Sequence, residues 1–240
     1  MADKVALVSG ANKGIGKEVA RQLGKLGFKV FLGSRDSQRG EAAAEELRKD
    51  GVDVEVVQFD VTKQDTIDKA LAQIEKSHGH LDVLINNAGI VSDTAPGIET
   101  SIEAVEKTMQ TNFIGPFSLL KKSVPLLEKA GSARVVNVSS SLGSHNMVAD
   151  PNSGFSQFQF LGYCSSKSAL NMLTVIAAND LSDKNIKVNS ICPGYVATDI
   201  NNHGGHRTVE EGAAIIINMA TLPDDGPTGT YVNDDGTIPW

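Results

Sequence analysis

A doubly wound α/β fold, with a mainly parallel seven-stranded sheet in a single domain, is predicted for this chain by three observations. Short apolar runs rich in β-branched residues recur along it, amphipathic stretches separate most of them, and the runs lack the strict polar alternation of half-exposed strands. Strands buried on both faces suit a parallel sheet, and right-handed crossovers then distribute the helices over its two sides. Ligands of such sheets bind at the carboxyl ends of the strands.

The elements follow in order. Residues 5–8 read as the first strand, and a glycine-rich turn separates them from a helical pattern over 17–26. Further strands are predicted at 29–32, 54–59, 83–85, 134–138, 186–191 and 230–232, with amphipathic helices at 41–49 and 65–77 among the connections. The stretch 161–170 reads as a helix, which places Tyr163 and Lys167, one turn apart, on the same face.

Length and composition narrow the function classes. A chain of 240 residues is long enough to bury a sizeable core, and no linker, composition shift or short repeat divides it. The net charge is -7 with basic residues scattered, so nucleic acid is not an expected partner. Apolar runs such as 213–217 fall far short of the roughly 20 residues that cross a bilayer, so no membrane partner is expected. Met1 to Lys4 lead into a strand without a signal-peptide core, and a cytoplasmic location is expected. Cys164 and Cys192 lie in separate elements without a CxxC spacing, which suggests packing rather than a disulfide framework or a metal site.

Two motifs carry chemistry. The first is Ser9-Gly10-Ala11-Asn12-Lys13-Gly14-Ile15-Gly16 between first strand and first helix. Glycines there permit a tight turn and close backbone approach to a pyrophosphate, which the helix N-terminus attracts through unpaired N–H groups. The spacing is G-x-x-x-G-x-G, not the commoner G-x-G-x-x-G, and by itself it fits a purely structural turn equally well. The second motif is the Tyr163/Lys167 pair. Such pairs are usually a solvated face, but a cation beside a phenol stabilises phenolate and makes it a proton shuttle.

Together the Gly10, Gly14 and Gly16 loop, the Asn86-Asn87-Ala88-Gly89 stretch and the Tyr163/Lys167 pair resemble the short-chain dehydrogenase/reductase family. Asp60-Val61, Asn112, Ser140 and Pro193-Gly194 follow in the family's order, so the likeness covers nearly the whole chain. Residues 208–229 are similar to its carbonyl-reductase branch. The resemblance implies a Rossmann fold binding NADP(H) and an enzyme that reduces a small-molecule carbonyl, apolar or aromatic in character. By motif, the cofactor would lie on Gly10, Asn12, Lys13, Gly14, Ile15 and Gly16, with adenine at Asp60 and Val61. Asn87, Ala88 and Gly89 would flank its ribose, while Tyr163, Lys167, Pro193, Gly194, Val196 and Thr198 would hold the nicotinamide end.

Charge argues for the phosphorylated nucleotide. Where NAD-preferring relatives carry an acidic residue at the end of the second strand, this chain reads Phe31-Leu32-Gly33-Ser34-Arg35-Asp36, and Arg35 offers a planar cation suited to phosphate. Lys13 resembles the second basic residue of such reductases. Arg35 paired with Asp36 in a solvated loop is the alternative.

For the reacting centre the resemblance implies Ser140 as hydrogen-bond donor to the carbonyl oxygen, and Tyr163 as proton donor. Lys167 would hold the nicotinamide ribose and depress the phenol's pKa, and Asn112 would anchor a water linking Lys167 to solvent. Three consecutive serines, 139–141, leave Ser139 as an alternative to Ser140. No metal enters this reading. A 3-oxoacyl thioester reductase and a non-catalytic NADP(H) sensor are the competing functions.

Two segments depart from the common pattern. Ser140 and Tyr163 lie 23 residues apart, and the extra length at 144–159 resembles a shortened form of the insert found in monomeric carbonyl reductases, so monomer or homo-oligomer remains open. Phe155, Phe158 and Phe160 beside it would line an apolar pocket or form local core. The substrate loop, about residues 195–210, is short and polar and is expected to act as a mobile lid; His203 and His206 within it read as solvated residues.

Overall fold

Seven runs of the chain pair side by side in parallel, in the computed structural model, which describes residues 4–93 and 95–240. They are β1 (Val5–Val8), β2 (Lys29–Ser34), β3 (Val54–Gln58), β4 (Val83–Asn86), β5 (Ala133–Val138), β6 (Ile186–Ile191) and β7 (Tyr231–Asn233). The predicted strand positions agree with these to within a residue or two at the ends. Met1 to Asp3, part of the reading of the N-terminus, lie outside the described residues.

An eighth strand corrects the predicted count. β8 (Gly236–Thr237) folds back antiparallel onto β7 through Asn233-Asp234-Asp235-Gly236, where Asn233 Oδ1 accepts from Asp235 N at 3.0 Å and Gly236 takes φ +123°. Two residues carry no readable periodicity, so only the turn chemistry could have signalled this strand.

The sheet order is β3-β2-β1-β4-β5-β6-β7-β8. The chain reverses direction across the sheet between β1 and β4, and at such a switch point the first loops diverge and leave a crevice. Alternation along each strand builds two cores. Phe31, Leu7, Leu84, Val135 and Val188 stand in register across five strands and join the core on one face. Val8, Leu32, Ile85 and Val136 point into the other. Full burial of each such side chain is worth about 1.5–3 kcal/mol.

Helices cover both faces. α1 (Gly14–Lys25), α2 (Ser37–Lys49) and α8 (Val209–Ala220) contribute to one core, and α3 (Gln64–Ser77), α5 (Gly115–Lys129) and α7 (Leu161–Asp180) to the other. α1 begins earlier than its apolar pattern because Gly14 to Gly16 form its first turn. α2 begins at Ser37 because Asp36 caps it, accepting from Arg39 N at 3.0 Å. α4 (Ile102–Met109) runs into α5 through a π turn at Gln110–Ile114, and α6 (His145–Ala149) occupies the extra segment after β5. Among the described residues, no helix is long and apolar enough to cross a membrane.

Candidate active site

A cleft of about 1890 Å³ opens over the carboxyl ends of the strands. The glycine loop forms one wall. Gly10 adopts φ +64°, and a side chain there would meet the Ala88 backbone at 3.0 Å. At Gly16 a Cβ would lie 2.4 Å from Asn87 Nδ2 and 2.7 Å from the Gly10 carbonyl oxygen. Asn87 explains the tightness: its Nδ2 donates to the carbonyls of Ser9 and Gly10 at 3.0 and 3.2 Å, while Ser9 Oγ accepts from the N–H groups of Asn87 and Ala88. The loop is thereby clamped to the end of β4. What remains facing the cleft is a cradle of main chain at the start of α1, which suits a pyrophosphate.

The whole predicted cofactor set lines this one cleft. Gly10, Asn12, Lys13, Gly14, Ile15 and Gly16 lie on one side, Arg35, Asp60 and Val61 at one end, and Asn87, Ala88 and Gly89 along the floor. Pro193, Gly194, Val196 and Thr198 face them from the exit of β6. Thr198 comes within reach of the glycine loop: a Cβ on Gly14 would touch its methyl carbon at 3.5 Å.

Charges at the Arg35 end are distributed unevenly. Asp36 is spent on its cap and on Arg39, 3.5 Å away, so the predicted alternative of an Arg35–Asp36 pair does not form. Arg35 is exposed and has no ion pair among the described residues. Burial raises the Asp60 carboxyl's affinity for its proton, but the Thr62 N–H and hydroxyl at 2.9 and 2.7 Å, with Lys63 and Arg35 nearby, outweigh it and hold the group below its usual range.

At the other end stand Ser140, Tyr163 and Lys167. Tyr163 is half-buried and Lys167 buried, and the ammonium lies 5.6 Å from the centre of the phenol ring. Lys167 Nζ donates to the Val138 carbonyl at 2.8 Å, which fixes it beneath the cleft. Burial pushes Lys167 down to about 8. It also pushes the Tyr163 phenol up, and the Ser140 hydroxyl opposes that shift. Lys167 is not among the causes of the Tyr163 shift, so burial sets the direction for each group separately in the protein without cofactor.

All three serines line the cleft, in different surroundings. The Ser140 hydroxyl accepts from Leu142 N at 3.3 Å and is the serine that bears on the Tyr163 phenol's pKa. Ser139 donates its N–H to the Ile191 carbonyl at 2.7 Å, but its buried hydroxyl, near the Tyr231 phenol, has no hydrogen-bond partner, while the Ser141 hydroxyl meets Cys192 Sγ at 3.2 Å. The Tyr231 hydroxyl donates to the Ser140 carbonyl and so steadies the backbone there.

Asn112 is set back from the residues that line the cleft. It is fully buried behind the cleft, in the π turn, and its side chain accepts from Ile90 N at 2.9 Å and donates to Ile90 O at 2.9 Å and Ser166 Oγ at 3.0 Å. Both amide hydrogens are used, leaving one carbonyl lone pair. Across Gly89 that oxygen approaches Lys167: a Cβ on Gly89 would lie 3.5 Å from each.

Phe155, Phe158 and Phe160 all line the cleft, and the rings of Phe158 and Phe160 sit 6.3 Å apart. In the segment after β6, His203 pairs with Asp199 at 2.9 Å, His206 lies against the Tyr195 ring, and Arg207 pairs with Asp234. Among the described residues no three His, Cys, Asp or Glu side chains converge as a metal site. Asp93, whose carboxylate accepts from the Gly162 and Tyr163 N–H groups, and Tyr231 carry no signal in the sequence. Nothing local marks them, because both act on elements distant in the chain.

These features define a class. The chain matches the short chain dehydrogenase family model over residues 4–208 and belongs to that family of oxidoreductases. It is 33% identical, over an alignment 293 positions long, to short-chain dehydrogenase/reductase 1 of Saponaria officinalis, covering 99% of this chain and 96% of that one. Carbonyl reductase [NADPH] 1 of Bos taurus is 32% identical over 274 residues, with 98% of each chain covered. The solved structure of NADPH-bound carbonyl reductase from chicken fatty liver superposes with a TM-score of 0.87 at 28% identity, over 100% of both chains.

Proposed function

We propose that this chain is an NADPH-dependent carbonyl reductase, working as one cytoplasmic catalytic domain on a ketone or aldehyde carried by a small apolar or aromatic molecule. The observation that carries the reading is the meeting of Ser140, Tyr163 and Lys167 at one end of the same cleft whose other end holds the glycine cradle and Arg35. Arg35 and Lys13 would take the 2′-phosphate, the start of α1 the pyrophosphate, and Thr198 with Pro193, Gly194 and Val196 the nicotinamide side. Bound NADPH supplies the hydride.

The chain's own residues do the rest. Ser140 donates a hydrogen bond to the carbonyl oxygen, where negative charge develops. Tyr163, a phenol that carries its proton at neutral pH, delivers it to that oxygen. Lys167 holds the cofactor ribose, and its ammonium favours the phenolate that Tyr163 becomes as it gives up the proton. Asn112 acts as a positioning residue, with its free lone pair available to a water that relays protons to Lys167. Phe155, Phe158 and Phe160 favour an apolar substrate. Arg207, spent on Asp234 and the Glu211 carbonyl, is not free to hold a carrier phosphate, which weighs against a 3-oxoacyl thioester.

The test is Tyr163→Phe, assayed by NADPH oxidation with a panel of aryl ketones, diketones, quinones and terpenoid ketones. The variant is expected to fold and bind NADPH while turnover falls by about 10²-fold or more. Turnover at the wild-type rate would place the acid elsewhere.

A further inference from the structure

The α7 helix that carries Tyr163 lacks a cap of its own: Phe160 precedes it and offers no side-chain acceptor. The first N–H groups of a helix need partners from elsewhere. Asp93, 70 residues earlier, supplies them. Its Oδ1 accepts from Gly162 N at 2.7 Å and its Oδ2 from Tyr163 N at 3.2 Å. The neighbouring glycine makes room: a Cβ at Gly162 would stand 3.2 Å from both carboxylate oxygens and from Val105 Cα.

The other side of the Tyr163 main chain is held as well. Ser166 Oγ donates to the Tyr163 carbonyl at 2.8 Å and accepts from Asn112 Nδ2 at 3.0 Å, and Asn112 grips both main-chain polar groups of Ile90. The circuit therefore starts and ends in the segment from Ile90 to Asp93, which directly follows Gly89 on the cleft floor. Both the N–H and the C=O of Tyr163 are referred back to that one segment.

We infer that Asp93 is a positioning residue for catalysis, setting the reach of the Tyr163 hydroxyl toward the carbonyl by fixing the first turn of α7 to the exit of β4. Its negative charge at a helix N-terminus is also favourable there. The inference rests on the reading of Tyr163 as proton donor, and misplacing a reacting group by about 1 Å costs on the order of 10²-fold.

The experiment compares Asp93→Ala, Asp93→Asn and Tyr163→Phe on the fastest substrate of the ketone and quinone panel, with NADPH affinity measured separately by fluorescence titration. Asp93→Ala is expected to lower kcat by about ten- to a hundredfold with NADPH affinity within about twofold of wild type. Asp93→Asn, which keeps one acceptor for the Gly162 N–H, is expected to fall between the two. Should Asp93→Ala not fold, the Asn variant decides on the same readouts. Wild-type kcat in the Asp93 variants, or NADPH affinity lost in step with kcat, overturns the inference. A fast Tyr163→Phe enzyme would instead overturn the assignment of Tyr163, so the two failures are distinguishable.

Discussion

Lys13 and Asp199 meet across the mouth of the cleft, Nζ to Oδ2 at 2.5 Å, and tie the glycine loop to the segment after β6. The Lys13 hydrogen bond and charge, with His203 on the other carboxylate oxygen, hold Asp199 below the usual carboxylate range. A phosphate that binds Lys13 must share its ammonium with Asp199 and meet that carboxylate's negative charge. Both side chains are more than half exposed, so the competition is modest. Asp199→Asn is expected to tighten NADPH binding by about two- to fivefold, as read by fluorescence titration. Weaker binding in that variant would mean Asp199 assists the cofactor rather than competing with it.

Arg35 has the opposite character, an exposed guanidinium at the cleft with no carboxylate partner among the described residues. Reversing its charge removes an attraction for phosphate and adds a repulsion. Arg35→Asp is expected to weaken NADPH binding by about tenfold or more and NADH binding far less. Equal losses for both nucleotides would show that Arg35 does not read the 2′-phosphate.

The fold and most of the site were legible for different reasons. Strands such as β1 and β6 announced themselves because burial on both faces requires unbroken apolar runs, and β8 did not because two residues carry no period. The Gly10 to Gly16 loop was legible because close backbone approach demands glycine at fixed offsets. The environment of Tyr163 was not. Its pKa depends on desolvation by elements far apart in the chain, and the partners of its main chain, Asp93 and Ser166 with Asn112, are fixed only by tertiary packing. Likewise three adjacent serines look alike in composition, and only the resemblance favoured Ser140; that the Ser139 hydroxyl is buried without a hydrogen-bond partner is fixed by tertiary packing.

That division of the serines leads to a paired experiment. Ser140→Ala removes the donor at the carbonyl oxygen and is expected to lower kcat by about 10²-fold or more, with NADPH affinity retained. Ser139→Ala removes a buried hydroxyl that has no hydrogen-bond partner, and its kcat is expected to stay within about threefold of wild type. Steady-state assays of both variants on one substrate distinguish the roles. The reverse pattern would move the donor to Ser139.

Lys167 gives the pH dependence a definite sign. Burial lowers its pKa from the ordinary 10.5 to about 8, so between those values the unfolded chain holds a proton that the native protein has released. Stability then rises with pH across that window, and below it both states are protonated and the full cost of a buried cation stands. Tyr163 works the other way, but only above its own ordinary value of 10.0. Comparison with Lys167→Met, which keeps Tyr163, isolates the lysine. In urea unfolding of the cofactor-free protein, wild type is expected to gain on Lys167→Met by about 1–3 kcal/mol between about pH 7 and about pH 9.5. A stability difference that stays flat over this range would mean the ammonium is solvated in the native state, and that the desolvation argued for the Tyr163 end of the cleft is wrong.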